Sequence, residues 1–287
     1  MLYSLNQGFL VAERTAQALN VPLIAVNHLE AHTLVARMEH KIPFPFLSLV
    51  ISGGHTFLAL SHDVGRHELL GSTMDDAIGE AFDKVGRALV SDDHAYSHFG
   101  SALEALAATA GQSDNVGLRL PVPLRKGGRL GYDFSFSGLK TAALLAAESK
   151  QYSSAIVASA FQASIVEHVG DVVRRGLMQF AANGNQLSLE RNGSPREWDN
   201  IKTKRSMDCD SHGISALVVS GGAASNLFLR RELKSLTDKA KVALVVPSRR
   251  LCVDNGVMIG WTAGERLAKG LAKHPTCLRA KWPLDEA

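Results

Sequence analysis

The spacing of apolar residues changes along the chain and predicts a different element in each segment. Apolar residues recur every three or four positions between Leu2 and Leu19, which is typical of an amphipathic helix. Compact apolar runs at 22–26 and 46–51 are typical of buried strands. Another run, at 57–60, follows the second after a Gly-Gly turn, so these residues predict a β-hairpin.

Helices and strands alternate in the remainder of the chain. The apolar positions predict helices at 78–89 and 156–177. They then predict a strand at 216–220, a helix that begins near Leu227, a strand at 242–246 and a last helix at about 257–273. This alternation indicates an α/β fold. No apolar run approaches membrane-spanning length, so we expect no membrane association.

Composition narrows the choice of partners and compartment only a little. With 287 residues, 46% of them hydrophobic, the chain is long enough to bury a large core. A formal charge of +3 permits an acidic partner such as RNA without requiring one. Three scattered cysteines are too few for a disulfide framework, which favours a reducing compartment. Residues 183–215 are polar and predict a flexible surface insertion.

Two histidines are the first candidates for chemistry. In a helix, His28 and His32 lie on one face, so their imidazoles could share one divalent ion. Two ligands do not complete a site, and a chance pair is common in a chain with 11 histidines. Asp254 lies between a predicted strand and the last helix, where open α/β sheets often place a ligand-facing carboxylate. An N-cap is the ordinary role at such a position.

Two Gly-Gly segments are candidates for binding an anion. In residues 52–56, adjacent glycines let backbone amides approach a phosphate, although an ordinary tight turn is the simpler explanation. In residues 221–226, a Gly-Gly turn between a strand and a helix is arranged as a nucleotide shelf. Neither segment is a Walker loop or a G-x-G-x-x-G fingerprint.

Six motifs occur in the same order as in one known family. They are His28-x-x-x-His32, Ser52-Gly53-Gly54-His55-Thr56, Gly79-Glu80-Ala81-Phe82-Asp83-Lys84, Asp133-Phe134-Ser135-Phe136-Ser137-Gly138-Leu139-Lys140-Thr141, Gly221-Gly222-x-x-Ser225-Asn226 and Cys252-x-Asp254-Asn255-Gly256. Together they closely resemble the tRNA N6-adenosine threonylcarbamoyltransferase family, formerly called the glycoprotease or O-sialoglycoprotein endopeptidase family. The first two motifs are similar to its bacterial and mitochondrial branch, and the polar insertion resembles mitochondrial members.

The resemblance implies an actin-like, Hsp70-like α/β fold of two lobes with a nucleotide cleft between them. Residues 1–45 would be a remnant of the first lobe, residues 46–255 the second lobe, and residues 256–287 a C-terminal helix that packs back on the first. The first lobe is expected to be incomplete, because nothing here corresponds to the strand-turn-strand with which family members begin. We therefore expect this chain to be weakly active or inactive.

The resemblance also implies a reaction. The threonylcarbamoyl group would pass from threonylcarbamoyl-AMP, made by a separate synthase, to N6 of the adenosine next to the anticodon in tRNAs that read codons beginning with A. The chain could act as a homodimer, in a mitochondrion or, alternatively, in bacterial cytoplasm. No catalytic nucleophile or general base can be named from the sequence.

The ligand-binding residues implied by the resemblance form three groups. One divalent cation, iron or zinc in preference to magnesium, would be held by His28, His32 and Asp254. The residues implied around phosphate and adenosine are Ser52, Gly53, Gly54, His55 and Thr56 for the phosphate, and Asp83, Gly100 and Asn226 for the adenosine. Phe99-Gly100 stands where the family usually has Gly-Gly, a departure in the turn that would contact the sugar.

Other functions on the same fold are alternatives. The main one is a non-catalytic scaffold that binds metal and ATP. A carbohydrate kinase would need a catalytic aspartate near a sugar pocket and would not need the two histidines. A metallopeptidase is disfavoured because Glu30, two residues from each histidine, lies about 200° around the helix from them and points away.

Overall fold

The computed structural model describes residues 2–90, 98–111, 117–125, 131–182, 213–272, 275, 279 and 281–287. The predicted insertion at 183–215 lies outside the described residues, apart from 213–215.

The described residues form nine α-helices and five β-strands, numbered in chain order. The helices are α1 (Leu2–Leu19), α2 (His28–Leu34), α3 (Ile78–Leu89), α4 (Phe99–Ala108), α5 (Ser137–Glu148), α6 (Ser154–Phe180), α7 (Leu227–Ala240), α8 (Arg249–Cys252) and α9 (Gly256–Ala268). The strands are β1 (Phe46–Ile51), β2 (Thr56–Asp63), β3 (Arg66–Ser72), β4 (Ala216–Ser220) and β5 (Ala243–Val245). Short 3₁₀-helices lie at Val35–Met38, Gly222–Ser225 and Leu284–Glu286.

The five strands form one mixed sheet in the order β3-β2-β1-β4-β5. β1, β2 and β3 are antiparallel neighbours, whereas β4 pairs in parallel with both β1 and β5. Ile51 pairs with Thr56 at the end of β1 and β2, which confirms the predicted hairpin. A parallel pair needs a long connection, and the helices α3 to α6 lie in the connection between β1 and β4.

β1 separates two apolar layers. Leu47, Leu49 and Ile51 belong to the main core, which also contains the buried faces of α3 and α6. Phe46 belongs to a second cluster with Leu34 at the end of α2. Successive residues of a strand point to opposite faces of the sheet, so β1, which is buried along its whole length, contacts helices on both sides.

The helix α6 is the central helix of the main core. In length and composition it reaches the membrane-spanning range, contrary to our expectation that no run does so. However, 72% of its most apolar window is buried inside the protein. A helix that is apolar nearly all round is also what the core of a large protein requires, so we interpret α6 as a core helix.

The strands of the structure differ from the predicted ones in two respects. Residues 22–26 form no strand, because in the described part of the chain they pair with no other strand and lead directly into the start of α2. An apolar run indicates burial but does not supply a pairing partner. Conversely, the sequence does not predict β3, because only His67 and Gly71 of this strand are buried and no alternation of apolar and polar residues results.

Candidate functional site

The helix α2, which carries both histidines, has only seven residues, so its position depends on contacts outside the helix. Asn27 caps it, and its Oδ1 accepts hydrogen bonds from the amides of Leu29 at 2.8 Å and Glu30 at 3.2 Å. Asn27 Nδ2 donates to the carbonyls of Trp282 and Pro283, both at 3.0 Å. Residues from the other end of the chain therefore hold the start of α2.

The structure brings His28, His32 and Asp254 together. His32 Nε2 lies 2.9 Å from Asp254 Oδ1, and His28 Nε2 lies 3.8 Å from Asp254 Oδ2. One ligand atom from each residue lies within 4.8 Å of the other two. Two atoms that each bind an ion at about 2.1 Å are at most about 4.2 Å apart. Small side-chain rotations would therefore let all three residues contact one cation.

The chemistry of these three residues fits a metal. The His32 side chain is fully buried, whereas that of Asp254 is 69% exposed, so the group opens to solvent on one side. Burial, followed by the neighbouring His28, lowers the pKa of His32 to about 4 despite the Asp254 carboxylate. The ring is therefore neutral at pH 7, as a metal ligand must be.

One buried atom of this group has no partner among the residues that the structure describes. His32 Nδ1 is buried, and among the described atoms it has no hydrogen-bond partner. Buried polar atoms are normally paired, so the described residues do not complete the bonding of this ring. Two imidazoles and one carboxylate together are a donor set that suits a transition metal.

Asp254 does not have the N-cap role that was its ordinary alternative. Asn255 caps α9 instead, and its side-chain oxygen accepts a hydrogen bond from the amide of Met258 at 2.9 Å. The short helix α8 also lies between β5 and Asp254, so this carboxylate does not directly follow a strand. Since Asn255 takes the capping role, the Asp254 carboxylate is left to face the histidines.

Glu30 lies on the opposite face of α2 and points away from the histidines, as the sequence predicts. Arg266 Nη1 of α9 donates to Glu30 Oε2 at 2.7 Å. Glu30 Oε1 accepts from the amide of Gly65 at 2.8 Å and lies 3.3 Å from His67 Nε2. Burial would raise the pKa of Glu30, but the hydrogen bond with His67 and the charge of Arg266 outweigh it and hold the pKa below its ordinary value.

Sequence reasoning misses Arg266 and His67 as partners of Glu30. Both come from segments far from α2 in the chain, and neither belongs to a motif that we singled out. The one available indication was the predicted direction of Glu30, since a carboxylate that points into a core requires a cation or donors there.

The Gly-Gly turn between β1 and β2 lies beside the histidines, since the rings of His28 and His55 have centroids 5.9 Å apart. The Ser52 amide donates to the His55 carbonyl at 2.8 Å, and the His55 amide donates to Ser52 Oγ at 3.0 Å. Gly53 and Gly54 are exposed at the tip. In the part of the chain that the structure describes, their amides have no hydrogen-bond partner, so they are available to an anion.

Ser52 and Thr56, two of the predicted phosphate ligands, hold the turn in place. Thr56 is buried, and its Oγ1 accepts a hydrogen bond from the amide of Ile78 in α3 at 2.9 Å. The Gly79 amide donates to the Ser52 carbonyl at 3.2 Å. A Cβ on Gly79 would lie only 2.7 Å from that same oxygen. The turn and α3 are therefore packed so closely that only glycine fits at this position.

The residues implied around the adenosine lie near one another. A Cβ on Gly100 in α4 would lie 3.9 Å from Asp83 Oδ1 in α3. One turn further along α4, Glu104 Oε1 accepts a hydrogen bond from the amide of Leu227, the residue after Asn226, at 2.7 Å. The middle of α3 and the starts of α4 and α7 therefore place these three predicted residues in one region.

At the predicted nucleotide shelf, side chains of the protein occupy two amides at the start of α7. Asn226 is buried and caps α7, its side chain accepting from the Leu229 amide at 2.8 Å and donating to Gln162 Oε1 at 2.9 Å. The Leu227 amide is occupied by Glu104. Sequence reasoning misses Glu104, because one glutamate in an apolar helix forms no pattern.

Two solved structures have a fold similar to that of this chain. HypF, crystallised in a phosphate- and nucleotide-bound form, aligns with a TM-score of 0.58 at 15% identity, over 90% of this chain and 45% of HypF. HypF from T. kodakarensis aligns with a TM-score of 0.56 at 14% identity, over 92% of this chain and 39% of that protein. Likeness at such identity concerns the fold alone. The protein has an α/β, actin-like fold with a possible metal site formed by His28, His32 and Asp254.

The chain belongs to the tRNA N6-adenosine threonylcarbamoyltransferase family. The family profile described as TsaD, tRNA N6-adenosine threonylcarbamoyltransferase, matches residues 1–261. Curated relatives of that name include one from Rhizobium meliloti, 39% identical over 97% of this chain and 69% of the relative. A relative from Anaplasma phagocytophilum is 39% identical over 98% of this chain and 74% of the relative. Another, from Bartonella henselae, is 38% identical over 97% of this chain and 71% of the relative. These relatives are bacterial, and they confirm the family that the motifs indicate.

Proposed function

We propose that the protein transfers a threonylcarbamoyl group from threonylcarbamoyl-AMP to N6 of the adenosine next to the anticodon, in tRNAs that read codons beginning with A. The observation that carries this proposal is the convergence of His28, His32 and Asp254 beside the exposed Gly53-Gly54 turn, in a chain of this family.

The chemistry of the donor explains why such a site suits the reaction. The donor is a mixed anhydride of a carbamate and AMP. The bond between the carbamoyl carbon and the phosphate oxygen breaks, a bond from that carbon to N6 forms, AMP leaves and N6 loses a proton. Attack by a weakly nucleophilic amine depends mainly on positioning and on stabilising the charge of the departing phosphate. No covalent nucleophile is required, and we assign none.

Each part of the site would have a distinct task. His28, His32 and Asp254 would hold one divalent cation, iron or zinc in preference to magnesium, because imidazole ligands favour a transition metal. A cation held there would supply positive charge to the phosphate oxygens of the donor. The remaining predicted residues would form the donor site. Gly53, Gly54 and His55 would face the phosphate, Ser52 and Thr56 would support that turn, and Asp83, Gly100 and Asn226 would lie around the adenosine.

The proposal extends to partners and organisation. A separate synthase would supply the donor, tRNA would be the acceptor, and the chain could form a homodimer. Residues 1–45 would belong to a first lobe, residues 46–255 to a second, and residues 256–287 would pack back on the first. A mitochondrial location agrees with the branch that the motifs resemble, and bacterial cytoplasm agrees with the bacterial relatives.

The test uses the purified 287-residue chain, unmodified tRNA, threonylcarbamoyl-AMP and an added divalent metal, with the modified nucleoside quantified by mass spectrometry. With enzyme in excess, we expect slow transfer that falls to background in His32→Ala. His62→Ala is the matched control, since His62 is a mostly buried histidine that lies 3.5 Å from Glu68, outside the site. Transfer above background that is equal in the wild type and His32→Ala would contradict the proposal.

A further inference from the structure

Glu30 and Arg266 form an ion pair that is almost completely buried. Their side chains are 0% and 3% exposed, and the atoms Glu30 Oε2 and Arg266 Nη1 are 2.7 Å apart. The pair between Asp63 and Lys269 has nearly the same length, 2.8 Å, but its side chains are 42% and 49% exposed. Removing two charges from water is so costly that a buried pair often adds nothing to stability over an apolar one. Stability alone therefore does not explain why this pair is buried.

The pair joins α2, which supplies both histidines, to α9, the helix that begins two residues after Asp254. Glu30 lies on α2 between the two histidines, and Arg266 lies on α9, twelve residues after Asp254. Near the start of α9, Met258 packs against Ala31 of α2 in a small apolar cluster. The helix α9 therefore contacts α2 at two points, an apolar one near Asp254 and an ionic one near its far end, and two contacts fix the angle between helices better than one.

The Glu30 carboxylate also ties α2 to the sheet. Its Oε1 accepts from the amide of Gly65 in the turn between β2 and β3, at 2.8 Å, and lies 3.3 Å from His67 Nε2 in β3. His67 Nδ1 in turn lies 3.0 Å from Ser61 Oγ in β2. One face of α2 is therefore held by a continuous polar network, while the opposite face presents the histidines.

Asp254 has little support of its own. Its side chain is 69% exposed, and within the described part of the chain its side-chain partners are His28 and His32. Its distance from the two rings is therefore set by how the backbone before α9 lies against α2. We propose that the Glu30–Arg266 pair is a positioning device that holds this third ligand within reach of both histidines. The inference rests on the metal centre of the proposed function.

The test measures Co²⁺ binding to the 287-residue chain by visible absorption, because the spectrum of Co²⁺ reports its ligands without any need for catalysis. Glu30→Gln removes one charge of the pair, and the double variant Glu30→Gln/Arg266→Met removes both. Asp63→Asn is the matched control, since it removes one charge from the exposed pair of the same length. All proteins are compared well below their unfolding transitions, with folding checked by circular dichroism and stability by urea unfolding.

We expect Asp63→Asn to bind Co²⁺ like the wild type. Glu30→Gln and the double variant should bind it at least about tenfold more weakly, with an altered visible spectrum. The double variant buries no unpaired charge, so it should regain stability that Glu30→Gln loses, yet it cannot regain the ionic contact between α2 and α9.

Two results would overturn the inference in distinguishable ways. If Co²⁺ affinity recovers together with stability in the double variant, or is unchanged in both variants, the pair has no positioning role and the proposed function stands. If the wild-type chain itself binds no Co²⁺, the metal centre of the proposed function fails, and the positioning role fails with it.

Discussion

The two faces of the seven-residue helix α2 have opposite environments. On one face, Glu30 is completely buried, and both of its oxygens have partners in the protein. On the other face, the rings of His28 and His32 meet the exposed carboxylate of Asp254, and a buried ring nitrogen has no partner among the described atoms. A satisfied polar network makes its surroundings rigid, whereas two imidazoles beside an exposed carboxylate form a donor set that suits a metal ion.

The largest effect on stability should come from removing the buried carboxylate of Glu30. Glu30→Ala leaves Arg266 buried without its charged partner, so we expect the free energy of unfolding to fall by about 3–5 kcal/mol. Asp63→Ala removes an ion pair of similar length from the surface and should cost less than about 1 kcal/mol. Urea unfolding of both variants at pH 7 measures the difference, and equal losses would show that burial does not distinguish the two pairs.

The second effect is a pH dependence of stability that arises from His168, a buried histidine outside the candidate site. Its Nε2 accepts a hydrogen bond from the Ser135 amide at 3.2 Å, and the rings of Phe134 and Phe136 lie against it. Burial, followed by the positive charge of Arg175, lowers the pKa of His168 to about 4. Between its ordinary value of 6.5 and about 4, the unfolded chain therefore binds more protons at this group than the folded chain does.

The free energy of unfolding should consequently fall as the pH falls from 6.5 to about 4. Above pH 6.5 the full contribution of neutral His168 to stability should be present. We expect protonation of His168 to lower the free energy of unfolding by about 3 kcal/mol near pH 4, relative to pH 7. The measurement compares the free energy of unfolding of the wild type and His168→Gln at several values between pH 7 and pH 4. The difference between them should narrow as the pH falls, and a constant difference would contradict the assigned pKa.

A smaller effect separates a structural role from a binding role at Asn226. Asn226→Ala removes the cap of α7 and leaves buried Gln162 without this partner, so the free energy of unfolding should fall by about 1–2 kcal/mol. Ser153 caps α6 by accepting from Ile156 at 3.3 Å, and Ser153→Ala is the control for loss of a cap elsewhere. Weaker AMP binding in Asn226→Ala alone, measured by calorimetry, would support the predicted contact with adenosine.

The smallest effect on stability should come from the open side of the site. A Cβ on Gly53 would meet nothing within 4 Å, so Gly53→Ala should change the free energy of unfolding by less than about 0.5 kcal/mol. The added methyl group would nevertheless occupy space beside the free amides, and AMP binding should weaken several-fold. Gly8→Ala, also in open space but in α1, should leave binding unchanged; equal AMP affinity in all three proteins would remove the turn from the site.

The sequence predicts much of this architecture. Compact apolar runs on either side of a Gly-Gly turn predict the β1–β2 hairpin, and apolar residues every three or four positions predict α1, α3 and α6, because secondary structure depends on side chains close together in the chain. The same local geometry places Glu30 opposite the histidines. Six ordered motifs indicate the family, since their residue types and spacing are properties of the chain itself.

Other features were decided only when distant segments packed together. Asp254 meets His32 across 222 positions of the chain, and the cap of α9 belongs to its neighbour Asn255. The partners of Glu30 and the supporting role of Thr56 likewise depend on contacts between separate elements. Periodicity reports which way a side chain points, but which group it meets there depends on how whole helices and strands pack, and no local pattern contains that information.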